Sequence, residues 1–163
     1  MQHTAKQATT VKGFRRPRPG WLRIVREPSQ YPTDLVEIRS PSDVAKALAH
    51  RFDESEVELF VVVMLNAQNR AISYQEVTRG ILNSSLVHPR AVFRLSIVYG
   101  AAGIIVAHNH PSGNPAPSAD DKAVTRQLVE SGKVLDIPVY DHVIVAADRY
   151  FSFAESGLLD VVS

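Results

Sequence analysis

The chain contains no cysteine. That absence excludes a disulfide framework and any thiolate-held metal, so a metal would have to be held by histidine and carboxylate. It also excludes the zinc deaminase signature, which needs a cysteine pair. Long apolar runs are missing too: LFVVVML, Leu59 to Leu65, has seven residues, against the roughly 18 that a membrane-crossing helix needs. The polar, basic N-terminus lacks the apolar segment of a signal peptide, and a cytoplasmic location is expected. Acidic residues are absent from positions 1–26, which carry Lys6, Lys12, Arg15, Arg16, Arg18, Arg23 and Arg26. The net charge of +1 therefore conceals an acidic body, with 11 basic against 17 acidic residues after position 26.

What is present fits one soluble domain. The 163 residues are 45% apolar and 21% charged, the balance of an ordinary globular chain with a single core. Pro17, Pro19, Gly20, Pro28 and Pro32 punctuate the first stretch, which reads as a flexible basic arm over 1–32 with a short docked piece near Trp21 to Val25. The folded domain is expected over 33–163. Ser40, Pro41 and Ser42 carry helix-start chemistry, and Val44, Leu48 and Phe52 recur at four-residue spacing on one face of a helix. The Val-rich run after Glu58 predicts a strand buried on both faces, followed by a turn over Asn66 to Arg70 and a second strand over Ala71 to Glu76.

Gly80 to Pro89 reads as a loop and Pro89 as the first turn of a helix running to about Gly100. Gly103 to Ala107 is another apolar strand. Ser118 opens a helix expected to stop at Gly132, with Val124 and Leu128 facing inward. Pro138 to Ala146 and Arg149 to Phe153 predict a closing strand pair. Strands and helices interleave, so the expected fold class is α/β, a mixed sheet flanked by helices. Exposed edges of such a sheet could pair, so an oligomer is possible.

The run AHNHPSGNPAPSADD, Ala107 to Asp121, carries the chemistry. Residues two apart on an extended segment share a face, so His108 and His110 project together while Asn109 points away. The intervening Pro- and Gly-rich loop can return the chain so that Asp121 meets the same ion. Two histidines and one aspartate would leave a fourth position for water, the arrangement of a catalytic zinc site. Ser118 and Asp121 also form S-x-x-D ahead of a helix, a capping-box signal that accounts for both residues without metal, and the two readings can coexist. A proton-transferring carboxylate is needed as well. Glu76, at the end of its strand, is the better geometric candidate, and by spacing alone it is one of several among Glu54, Glu56, Glu58, Glu76 and Glu130. His142, beside Asp141 on a late strand, reads as a structural or ligand-supporting residue rather than a fourth ligand.

The segment from VHPRAVF through AHNHPSGNPAPSADD to YDHVIV resembles the RadC-like proteins of bacteria, within the JAB/JAMM (MPN+) metallopeptidase-like superfamily. The resemblance covers roughly Leu35 to Leu159 and implies a cytidine-deaminase-like α/β/α layered fold. It implies Zn2+ held by His108, His110 and Asp121, with Glu76 activating water and Ser118 near the oxyanion. The implied activity is a metallopeptidase or isopeptidase acting on a peptide or protein substrate. The traditional association with DNA repair has no counterpart in this site, and where full-length RadC proteins usually carry a helix-hairpin-helix region, the basic arm is expected in its place. The alternative is an accessory protein that contacts DNA phosphates through Lys12, Arg15, Arg16 and Arg18, with a structural metal. Phosphodiester hydrolysis is a third reading, weakened by the lack of basic residues near the histidines.

Overall fold

The computed structural model describes residues 37–80 and 86–159. The basic arm, Lys12, Arg15, Arg16 and Arg18 included, lies outside the described residues, as does part of the Gly80–Pro89 loop. The elements run α1 (Pro41–Asp53), β1 (Leu59–Leu65), β2 (Ala71–Arg79), α2 (Pro89–Tyr99), β3 (Gly103–Asn109), α3 (Ala119–Leu135), β4 (Val139–Ala146) and β5 (Arg149–Ser152). One five-stranded mixed sheet is formed in the order β2-β1-β3-β4-β5. Only the β3–β4 pair is parallel, and α3 makes the crossover that a parallel pair requires. The α/β fold expected from the sequence is the fold observed.

The sheet lies between two helical layers. Val44, Leu48 and Phe52 of α1 pack with Leu59, Val61, Val63, Ile105, Ala107 and Val143 on one face. On the other, Val92 and Phe93 of α2 and Val124 and Leu128 of α3 cover Phe60, Val62, Ile104 and Val106. Every residue of β1 and β3 is therefore buried, which is why LFVVVML carries no alternation. The β1–β2 hairpin is closed by Asn66, whose Oδ1 accepts from the backbone N–H of Gln68 at 2.9 Å and of Arg70 at 3.0 Å.

Two boundaries depart from expectation by three residues. Strand β2 continues three residues past Glu76 to Arg79. Helix α3 passes through Gly132 and ends at Asp136, which takes up the left-handed conformation at φ 55°. Gly132 is there for close packing: a Cβ on it would sit 2.5 Å from the Ile137 carbonyl oxygen and 3.3 Å from the Phe93 ring. The absence of a side chain lets the α3–β4 connection fold tightly against the helix.

Candidate metal centre

Strand register decides which side chains meet. In β1 and β3, Phe60 lies opposite His108 and Val61 opposite Ala107. Register partners share a face, so His108 points with Phe60 toward the α2/α3 side, and the two rings stack at 6.1 Å between centroids. Beyond the strand, the His110 N–H donates to the Val145 carbonyl at 2.8 Å, and the loop folds back, its Gly113 carbonyl held by the Arg149 guanidinium at 2.6 Å. The loop delivers Ser118 as the N-cap of α3, with a complete capping box. The Ser118 hydroxyl accepts from the Asp121 N–H at 3.1 Å, and Asp121 Oδ2 accepts from the Ser118 N–H and hydroxyl, each at 2.7 Å.

His108, His110 and Asp121 converge. His108 Nε2 is 3.0 Å from His110 Nε2 and 3.2 Å from Asp121 Oδ1, and His110 Nε2 is 3.6 Å from Asp121 Oδ2. One ligand atom from each residue lies within 4.8 Å of the other two, so the group can hold a metal ion. The hydrogen bonds around it say which ring atoms face the centre. His110 Nδ1 is 2.7 Å from the Asn114 carbonyl. A carbonyl only accepts, so Nδ1 carries the hydrogen and the Nε2 lone pair points inward. Two imidazole nitrogens and a carboxylate then crowd one point, an arrangement that calls for a positive charge between them. The donor set fits a divalent cation of the zinc type.

The charges are consistent with that demand. Burial pushes the His108 imidazole below its usual pKa, with the Asp121 carboxylate opposing. His110 is pushed up, chiefly by the Asp121 carboxylate beside it. Burial alone would raise the Asp121 carboxyl, but the His108 and His110 contacts overcome it and hold the group far below the ordinary carboxylate range. Asp121 therefore stays an anion, as a ligand must.

Glu76 lies on the face away from the centre, and Ser118 is engaged with Asp121. Glu76 pairs in register with Val61, which puts it on the α1 face, opposite to His108. There its carboxylate accepts from Arg51 of α1 at 2.8 Å and from Arg79 at 3.0 Å. The Arg79 hydrogen bond and the Arg51 contact, opposed by partial burial, keep its pKa below the usual value, making it a poor proton acceptor. The single hydroxyl hydrogen of Ser118 is directed at Asp121, so Ser118 orients that carboxylate.

Three further residues bear on the centre: Glu58, one of the five carboxylates the sequence offers as a base, and Asn109 and Thr125, which the sequence does not single out. Glu58 lies two residues before Phe60, on the side that period-two alternation gives to His108, and its charge raises the proton affinity of both His108 and His110. Asn109 straddles it: Oδ1 accepts from the Leu59 N–H at 2.7 Å and Nδ2 donates to the Val57 carbonyl at 3.2 Å. The residue between the two ligand histidines thus fixes the backbone on either side of Glu58. Thr125, one turn after Asp121, contacts His142 at 2.6 Å. Its only sequence signal is the four-residue spacing from Asp121, which shares a helix face. A cleft of about 420 Å³ opens beside His110, lined by Phe52, Asp53, Ser55, Glu56, Asn109 and Pro111 among others.

Comparison with known proteins agrees with this geometry. The family described as RadC-like JAB domain matches residues 38–158. A UPF0758 protein of Symbiobacterium thermophilum is 45% identical over 138 residues, 85% of this chain and 59% of the relative. Another, from Trichlorobacter lovleyi, is 45% identical over 125 residues, 77% of this chain and 54% of the relative. A third, from Clostridium perfringens, is 44% identical over 124 residues, 76% and 55% of the two chains. The chain spans a little over half the length of each of these relatives.

Proposed function

Because the chain belongs to the family of RadC-like JAB domains, we propose that its histidine–aspartate centre binds zinc and hydrolyses peptide or isopeptide bonds, with Glu58 moving the proton. The observation that carries the reading is the inward convergence of His108, His110 and Asp121, within 4.8 Å of one another. Two imidazoles and one carboxylate are the ligand set of a catalytic zinc, leaving a coordination position for water or substrate. Bound there, zinc would act as a Lewis acid, polarising a carbonyl and acidifying a water molecule.

The chain's own residues supply the rest. Glu58 takes a proton from the attacking water and returns it to the departing amine nitrogen, the cycle that a carboxylate beside such a centre performs. Asn109 holds Glu58 in place through the peptide groups before and after it. Ser118 keeps Asp121 turned toward the histidines. The cleft beside His110 gives an extended chain room to enter, and no helix among the described residues is long and apolar enough to cross a membrane. Asp53 and Glu56 in the cleft wall, with Glu58 near the histidines, would repel a polyanion, which speaks against a phosphodiester substrate at this centre.

The test is metal content. Purified protein exposed to zinc and then dialysed should retain one equivalent, and a His108→Ala, His110→Ala double variant should retain none. Equal retention by both would remove the proposed site.

A further inference from the structure

His108 Nδ1 faces away from the metal centre, and what it meets there is not solvent. It lies 2.8 Å from Nε2 of His142, a fully buried residue of β4. On its other side, His142 Nδ1 lies 2.6 Å from Thr125 Oγ1, and the Thr125 hydroxyl donates to the Asp121 main-chain carbonyl at 2.6 Å. The His142 ring is clamped against Phe153, 4.9 Å between centroids and 12° from parallel. The contacts therefore form a loop from the backbone of one ligand, Asp121, through α3 and β4 to the side chain of another, His108.

With the Thr125 hydroxyl donating to the Asp121 carbonyl, the remaining donors follow in one order. The Asp121 carbonyl has no hydrogen, so the single Thr125 hydrogen goes to it. Thr125 Oγ1 is then an acceptor, and His142 must donate to it from Nδ1. A neutral imidazole has one hydrogen, which leaves His142 Nε2 as an acceptor and obliges His108 to donate from Nδ1. The lone pair of His108 is thereby placed on Nε2, the atom that faces His110 and Asp121.

We propose that Thr125 and His142 are positioning residues which hold His108 in the tautomer and ring orientation that metal binding requires. The proposal rests on the reading of His108 as a ligand. Metal-bound histidines commonly donate their second nitrogen to a carboxylate or carbonyl; here a second imidazole takes that place, oriented by a hydroxyl tied to the neighbouring ligand. The arrangement ties the His108 ring to the α3 backbone that carries Asp121, so the ring cannot rotate without breaking the loop.

The test uses the full chain and two readouts. Long-range proton–nitrogen NMR of the metal-free wild type reads the His108 tautomer directly, and competition with a zinc-binding dye reads affinity. We expect the hydrogen on His108 Nδ1. Thr125→Val, of the same shape without the hydroxyl, should give mixed His108 tautomers and zinc binding weakened roughly 10- to 100-fold. Thr125→Ser should behave as wild type, and His142→Phe should lose affinity at least as far as Thr125→Val. A wild-type His108 with its hydrogen on Nε2 would overturn the proposal whatever the variants do, including a Thr125→Val that fails to fold. So would a folded Thr125→Val with wild-type affinity and tautomer. If wild type binds no zinc yet shows the Nδ1 hydrogen, the loop stands and the metal reading fails; zinc binding with an indifferent Thr125→Val is the reverse case.

Discussion

Replacing Asn109 by leucine separates its backbone clamp from its bulk, because the two side chains have the same branching. The change leaves the Leu59 N–H buried without its acceptor, which lies at 2.7 Å in the native protein. An orphaned buried N–H costs about 1–3 kcal/mol, and the second bond, to the Val57 carbonyl at 3.2 Å, adds about 0.5–1.5 kcal/mol. Together these amount to roughly 2–4 kcal/mol, a large part of the ~5–15 kcal/mol that holds such a domain folded. For a chain of this size each kcal/mol moves the melting temperature by about 2–4 °C, so Asn109→Leu should melt on the order of 10 °C lower by calorimetry of the metal-free protein. Turnover should fall further than stability explains, since the backbone on both sides of Glu58 is released. A melting temperature within about 2 °C of wild type would show that the clamp carries no such load.

Two further outcomes follow from packing and charge. Gly132→Ala should destabilise: the gain in helix propensity is about 1 kcal/mol, but the new Cβ would meet the Ile137 carbonyl oxygen at 2.5 Å, a backbone atom that cannot move aside, and overpacking costs about 1–3 kcal/mol. A variant more stable than wild type in urea would contradict that. Glu76 has its pKa lowered by Arg79 and Arg51, so its ion pairs stabilise the fold above the unfolded carboxyl pKa of 4.5 and are lost as pH falls through the depressed folded value. Glu76→Gln should therefore be less stable than wild type at neutral pH, with the difference shrinking on acidification below about pH 4; a constant gap in parallel denaturation curves would refute it.

The elements were legible because their signals are local. LFVVVML announces a strand covered on both faces, the four-residue recurrence of Val44, Leu48 and Phe52 a one-sided helix, and S-x-x-D a helix start. His108, His110 and Asp121 were legible for the same reason: one strand end, one kinked loop and one cap bring them together within fifteen residues. Glu76 was misplaced because its role depended on antiparallel register, which spacing does not carry. A shift of one residue in pairing exchanges the two faces of a strand, and the register observed turns Glu76 to α1 while His108 lies on the other face with Phe60. Thr125 and His142 were hidden for a related reason, since their meeting depends on how α3 lies across β4. At Gly132, a residue type usual beyond helix ends serves a contact instead, and only the packed structure tells the two uses apart.

The histidine–aspartate centre is proposed to hydrolyse amide bonds with Glu58 as its proton carrier. The most direct test is cleavage of a peptide library by zinc-loaded wild type, Glu58→Gln and Glu76→Gln, with zinc content measured on the same samples. Wild type and Glu76→Gln should cleave, and a Glu58→Gln variant that still holds its zinc should not. Undiminished cleavage by Glu58→Gln, or loss of cleavage confined to a folded, zinc-bearing Glu76→Gln, would contradict that proposal.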